Sequence, residues 1–259
     1  MRLKDKVAIV TGGGVGIGKA IALAFTNEGA TVVVASRNLE NLEDVAAEIK
    51  AKGGKTTTIK TDVTDENQVK EMVSQTLSEY GKIDILVNNS GIAGPTLAVV
   101  DLKLKDWNQT IAVDLTGAML CSREVLKGMI KRKSGNIINI SSIAGKHGMV
   151  LRSPYTVSKW GLIGFTQTLS MEVGKYNIRV NCIAPGPVAG ERVENVIRAR
   201  SEALGIPEEE IAKQMTSRTS LGKFVTAEEV AWATVFLASD ESSGITGQTL
   251  SVDAGRTSL

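Results

Sequence analysis

Tyr155 and Lys159 stand four residues apart in the stretch Ser153-Pro154-Tyr155-Thr156-Val157-Ser158-Lys159. On a helix that spacing stacks both side chains on one face, with an ammonium in electrostatic reach of a phenol. A free phenol titrates near pH ~10 and is a poor acid-base group at neutral pH. A fixed cation beside it favours the phenolate, so Tyr155 becomes able to pass a proton to or from an alcohol oxygen. The same spacing is common on solvated helix faces, and the pair takes its meaning from its surroundings.

The second chemical signal is near the start of the chain. Val7-Ala8-Ile9-Val10 is a short apolar run followed by Thr11-Gly12-Gly13-Gly14-Val15-Gly16-Ile17-Gly18, after which Ile17, Ala20, Ile21, Ala24 and Phe25 repeat at helical spacing. This reads as a buried strand, a glycine turn and an amphipathic helix. A helix that begins at glycines presents free N–H groups and a positive dipole end to a pyrophosphate. Gly12 serves the tight turn, Gly16 the approach of backbone to phosphate, and Gly18 the close packing of helix on strand. The loop alone also suits a bare turn, S-adenosylmethionine or a flavin, and its strand–turn–helix context favours a nucleotide site over a bare turn.

Both signals need a scaffold. Apolar runs at 31–35, 57–60, 83–87, 136–140, 178–183 and 249–252 alternate with helical periodicity, including helices at 39–51 and 66–80. With the first run this makes about seven strands in an α/β, doubly wound parallel sheet with helices on both faces. Ligands of such sheets bind beyond the carboxyl ends of the strands. Gly12 to Gly18, Asp62, Asn88 to Gly91, Ser141-Ser142 and Pro185-Gly186 all follow strand ends and converge on one rim. The charged segment 187–221 has helical periodicity in Val193, Val196, Ile197 and Arg200, and reads as a helical lid over the substrate side.

Composition bounds the rest. A chain of 259 residues, 42% hydrophobic, can bury one large core, so 1–259 is expected to form a single domain. The net charge of +2 comes from scattered basic and acidic residues, which argues against a nucleic-acid partner. Cys121 and Cys182 lack metal or redox spacing and His147 is the only histidine, so buried thiols and no metal site are expected. Without a signal-peptide core or a run of ~20 apolar residues, the expectation is a soluble, cytoplasmic protein with no membrane partner.

Taken together, these residues resemble the short-chain dehydrogenase/reductase family in its form of roughly 250 residues. The resemblance covers nearly the whole chain. It is carried by Thr11 to Gly18, Asp62-Val63, Asn88-Asn89-Ser90-Gly91, Ser142, Tyr155-x-x-x-Lys159, Pro185-Gly186 and Ser251-Val252-Asp253-Ala254-Gly255. It implies a Rossmann-like fold and an oxidoreductase that moves a hydride between a nicotinamide cofactor and an alcohol or carbonyl substrate. By resemblance Tyr155 is the general acid/base, Lys159 lowers its pKa and binds the nicotinamide ribose, and Ser142, thirteen residues before the tyrosine, bonds the reacting oxygen. The loop residues Gly12, Gly14, Val15, Gly16, Ile17 and Gly18 hold the cofactor. Asp62 and Val63 resemble the adenine-edge pair, Asn89 and Gly91 pass beside a ribose, and Val188 matches the backbone position at the carboxamide. Asn88 reads instead as a buried amide bridging strands.

Three departures from the family pattern bear on activity. Asp114 stands where the family has an asparagine that supports a proton-relay water, so the relay is expected to work in retuned form, paired with Lys159. Gly190 replaces a threonine and Ser90 an alanine. The alternative reading is a catalytically silent relative with a regulatory or scaffold role. At the end of the second strand, Ser36-Arg37-Asn38 offers a cation and no acid, which favours NADP(H) over NAD(H), although Val15 stands where NADP-using relatives carry a second base. Arg152, with Lys146, His147 and the lid arginines 192, 198 and 200, points to an anionic substrate such as a hydroxy or oxo acid, with a 3-oxoacyl compound the other candidate. Apolar residues on several sides of helices 104–131 and 153–174 lead to an expected homotetramer, with 251–259 near its second interface.

Overall fold

The computed structural model describes residues 1–256. In chain order its strands and helices are β1 (Val7–Thr11), α1 (Gly16–Asn27), β2 (Thr31–Ser36), α2 (Leu39–Ala51), β3 (Thr56–Lys60), α3 (Glu66–Tyr80), β4 (Ile85–Asn88), α4 (Leu104–Ile111), α5 (Gly117–Arg132), β5 (Gly135–Ile140), α6 (Ser153–Val173), β6 (Ile178–Pro185), α7 (Glu191–Leu204), α8 (Glu208–Ser217), α9 (Ala227–Ala238) and β7 (Thr249–Val252). The strands form one sheet in the order β3-β2-β1-β4-β5-β6-β7, with every pairing parallel. Strand order reverses between β1 and β4, and that crevice is where ligands of such sheets bind.

Alternation along each strand divides the core into two layers. Ala8 and Val10 of β1 join Ile21 and Phe25 of α1, Leu42 of α2 and Val235 of α9 on one face. Ile9 joins Met72 of α3, Met129 of α5 and Leu169 of α6 on the other. The segment 187–221, expected to form a lid, carries a small core of its own, in which Val193 and Ile197 of α7 meet Ile211 and Met215 of α8. Cys121 and Cys182 are buried free thiols, and burial pushes them up to about 12 and about 11. Among the described residues no helix is long and apolar enough to cross a membrane.

Local differences from the periodicity have physical causes. The fourth strand begins at Ile85 rather than Ile83, because the Asp84 carboxylate accepts the Val7 N–H at 2.9 Å and pairs with Lys82 at 2.9 Å, making a corner of the chain there. The stretch 104–131 is not one regular helix: α4 and α5 are joined by a π turn, Ala112–Thr116, with Asp114 at its centre. Such widened turns recur at functional sites. Residues 257–259, part of the segment expected at a second interface, lie outside the described residues.

Helix starts also differ in kind. Asn38 caps α2, Asp65 caps α3, and Thr226 with Glu229 forms a capping box on α9, each giving orphan N–H groups an acceptor. The start of α1 is different. Val15 occupies its cap position without a side-chain bond, and its first turn has no acid.

Candidate active site

The Tyr155–Lys159 pair lies on α6, whose first turn carries Pro154. Lys159 is buried; its Nζ donates to the Ile140 carbonyl at 3.1 Å and stands 5.6 Å from the centre of the Tyr155 ring. The ammonium is thus held between the end of β5 and the phenol. Ser141 and Ser142 divide the work at that strand end. The Ser141 hydroxyl donates to the Lys159 carbonyl at 2.9 Å and ties α6 to β5, while Ser142 lines the cavity and accepts the Ala144 N–H at 3.1 Å.

Asp114 reaches the same lysine from the π turn. Its Oδ2 is 3.5 Å from Lys159 Nζ, and its Oδ1 accepts the Ile92 N–H at 2.7 Å. Both partners are almost wholly buried, and Oδ2 has no hydrogen-bond donor among the described residues. The pairing expected from the sequence is therefore present as a buried ion pair. Removing one partner of such a pair leaves the other charge buried and uncompensated. Because the carboxylate pushes the phenol of Tyr155 upward, Asp114→Asn is expected to move the pH profile of alcohol oxidation to lower pH while kcat stays within about threefold. A pH–rate comparison of the two forms checks this, and total loss in the Asn variant would assign the carboxylate a further role.

Tyr155 is partly accessible at the cavity edge. Burial pushes its phenol up, but Arg192, Lys159 and the Ser142 hydroxyl push it down further, and the net direction is downward. Arg192, expected from the sequence to face an anionic substrate, also comes close to Tyr155. From the start of α7 its guanidinium comes within 6.0 Å of the phenol ring, and its Nη1 donates to the Gly91 carbonyl at 3.3 Å across the cleft. Arg152, expected at the substrate, is buried, lies 5.0 Å from the ring centre, and also donates to Ala93 O at 2.7 Å and Thr96 Oγ1 at 3.2 Å. It therefore fixes the loop after β4 as well as facing Tyr155. Lys146 turns away, donating to Ser251 Oγ at 2.7 Å, and Arg198 points outward beside Asn195.

These groups border a cavity of about 430 Å³ that runs from the glycine loop to the lid. Of the residues singled out from the sequence, its wall contains Gly12, Val15, Gly16, Ile17, Gly18, Asn89, Gly91, Ser142, Arg152, Tyr155, Lys159 and Val188. Gly14, Ser36, Arg37, Asp62, Val63 and Asp114 are not in that wall. Gly14 is buried, and a Cβ there would meet the Asn41 Cβ at 3.0 Å. Ser36 and Arg37 follow the register of β2, and Asp62 and Val63 follow β3, so these four continue the rim on the far side of β1. The Asp62 carboxylate accepts the N–H and hydroxyl of Thr64 at 2.9 and 2.7 Å. Asn88 bridges strands as expected, donating to Asn139 Oδ1 at 2.8 Å and Ser122 Oγ at 3.0 Å. Arg256, just after the terminal Asp-Ala-Gly, is a wall residue that no sequence pattern marked.

The loop fits a nucleotide phosphate on this chain's own terms. Gly16 has φ +53°, and a Cβ added to it would enter open space, so backbone is bared to the cavity there. At Gly18 a Cβ would stand 2.1 Å from the Gly12 carbonyl, so α1 can begin this close to β1 only with glycine. With no side chain capping α1, its first N–H groups remain available to an anion.

A parallel α/β sheet with an open glycine-lined helix start, and Tyr, Lys and Ser gathered beyond neighbouring strand ends, defines a nucleotide-dependent oxidoreductase. Comparison with known proteins gives the particular family. A family model described as enoyl-(acyl carrier protein) reductase matches residues 13–257. The chain is 41% identical over 256 residues to the 3-oxoacyl-[acyl-carrier-protein] reductase FabG of Thermotoga maritima, across 98% of this chain and 99% of that protein. Among solved structures, NAD⁺-bound xylitol dehydrogenase is similar with a TM-score of 0.96 at 31% identity, covering 98% and 100% of the two chains. A single-residue variant of actinorhodin polyketide ketoreductase with NADPH is similar with a TM-score of 0.94 at 33% identity, covering 98% of each. The chain belongs to the short-chain dehydrogenase/reductase family. It is an NAD(P)-dependent oxidoreductase acting on an alcohol or carbonyl group.

Proposed function

We propose that this enzyme uses NADP(H) and that Tyr155 exchanges the proton of a secondary alcohol or ketone whose hydride the cofactor exchanges. The observation that carries the assignment of Tyr155 is its position at the cavity edge between Lys159 and Arg192, which hold its phenol below the usual range. The bound nicotinamide supplies or takes up the hydride. Gly12 and Val15 to Gly18 hold the cofactor phosphates, Asn89 and Gly91 lie along a ribose, Lys159 binds the nicotinamide ribose and the backbone of Val188 orients the carboxamide. Ser142 holds the reacting oxygen against Tyr155, and α7 with α8 closes over the substrate. A turnover screen with both cofactors against hydroxy acids, sugars, 3-oxoacyl thioesters and neutral secondary alcohols tests this reading; no turnover with any member would reject it.

The cofactor preference rests on the end of β2. No carboxylate occurs there before Glu40, Arg37 is exposed, and none of the ion pairs among the described residues involves it. A 2′-phosphate would find a cation and no repelling acid. We expect Arg37→Ala to weaken NADP(H) by about 1.5–3 kcal/mol, roughly ten- to a hundredfold, with little change for NAD(H). Dissociation constants for both cofactors measure this, and equal losses would refute it.

The same reading includes a homotetramer. Val157, Trp160 and Met171 on α6 and Leu104 on α4 are exposed apolar side chains, Trp160 by half its surface, and β7 is an edge strand. A second copy covering these faces would remove that surface from water.

The 3-oxoacyl reading is favoured by the reductase activity for which the Thermotoga relative is named. The hydroxy- or oxo-acid reading is favoured by charge, since five cations and one acid line the cavity.

A further inference from the structure

We propose that Arg200 and Arg256 form an anchoring subsite for a carboxylate carried by the substrate, at the lid end of the cavity; this deepens the oxidoreductase reading above and rests on it. Arg200 comes from α7 and Arg256 from the segment after β7, and both line the cavity. Nη1 of Arg256 is shielded from solvent and has no acceptor among the described residues. No described carboxylate pairs with either guanidinium within 4.0 Å. Asp253, the acid near Arg256, already accepts the Gly255 N–H at 3.0 Å. Glu191, the acid in the cavity wall, precedes Arg200 by nine residues, or roughly 13 Å of helix.

This arrangement is costly as it stands. Burial pushes both guanidinium groups below their ordinary value, with Arg218 adding repulsion to each and Arg200 adding to Arg256. Arginine remains protonated under such pressure, so a shielded N–H without an acceptor stays a charged, unsatisfied donor. An anion held in the cavity beside the two guanidinium groups offsets that repulsion. The cofactor phosphates have their own place. The glycine loop follows β1, whereas Arg256 follows β7, and β4, β5 and β6 lie between these strands in the sheet. Met149 and Met215 in the same wall suit a carbon skeleton rather than a second polyphosphate. A planar carboxylate with a short apolar body meets both conditions.

Calorimetric titration of the protein saturated with NADP⁺, which fills the glycine loop, tests the subsite with three probes: 4-oxopentanoate, its neutral amide and inorganic phosphate. The acid is expected to bind at least tenfold tighter than the amide and tighter than phosphate. Arg200→Gln and Arg256→Gln should each remove most of that preference, with amide and NADP⁺ affinities unchanged. Equal or undetectable binding of acid and amide by the wild-type protein overturns the proposal. So does tighter binding of phosphate, or a preference retained in both variants. The wild-type comparison decides the matter even if a variant fails to fold. Turnover of 2-butanol reports separately on the oxidoreductase reading: turnover without acid preference removes the subsite alone. Acid preference without turnover of any alcohol or ketone in the panel removes the assigned chemistry and leaves the subsite.

Discussion

Tyr155→Phe is expected to lower kcat by about 10³-fold or more while cofactor affinity and folding stay nearly unchanged. A positioned general acid or base contributes roughly 10²–10⁴ to a rate, and in the proposed mechanism one hydroxyl carries that role in both directions. Among the described residues no hydrogen bond that holds α6 in place uses the phenol oxygen; the helix is tied down by Ser141 to the Lys159 carbonyl and by Lys159 to Ile140. Removing the hydroxyl therefore costs chemistry and little structure. With Tyr155 as the proposed base, oxidation needs the phenolate. Since the phenol titrates below its ordinary value, oxidation should rise with pH through that lowered value, and carbonyl reduction should decline over the same interval. Steady-state kinetics in both directions with a cofactor titration provide the check. Turnover of the Phe variant near wild type would remove Tyr155 from the reaction.

Lys159→Met should combine two losses. The first is electrostatic: without the ammonium 5.6 Å from the ring, the phenol titrates higher and the oxidation limb moves to higher pH. The second is structural. Asp114 would keep a buried carboxylate whose one hydrogen bond among the described residues comes from the Ile92 N–H, and stranding one partner of a buried pair costs about 3 kcal/mol. The expected phenotype is activity reduced by about 10³-fold or more, weakened cofactor binding and a lower Tm, with part of the stability returned by Lys159→Met/Asp114→Asn. A single variant with normal stability and a small rate change would mean that the pair carries neither role. The partial rescue separates stability from chemistry, since the double variant remains without the ammonium.

Much of this architecture was legible in the chain because its determinants are local. Val32-Val33-Val34 is buried on both sheet faces and reads as an uninterrupted apolar run for that reason. Gly12 and Gly16 have positive φ, and Gly18 leaves no room for a Cβ, so their spacing records a backbone path. Tyr155 and Lys159 share a helix face, and four residues of separation are enough to say so. Asn88 was readable as a structural amide beside functional neighbours, and its bonds to Asn139 and Ser122 agree.

The charges behave differently, since a long side chain on a loop or lid takes its partner from whatever the fold brings near it. Lys146 and Arg152 lie six residues apart in one loop, yet one turns to the hydroxyl of Ser251 and the other to the ring of Tyr155. Arg192 meets Gly91 from a hundred residues away in sequence, and Arg256 reaches the cavity from beyond the last strand. The π turn at Asp114 leaves no periodicity distinct from a helix, so only the packed structure places that carboxylate 3.5 Å from Lys159. Backbone turns and helix faces were thus determined by residue type and spacing, through sterics and periodicity acting over a few residues. Which cations share the cavity, which are spent on loops, and where an anion is still wanted were decided by tertiary structure, because Coulomb interactions depend on distance through space and on burial, neither of which spacing along the chain contains.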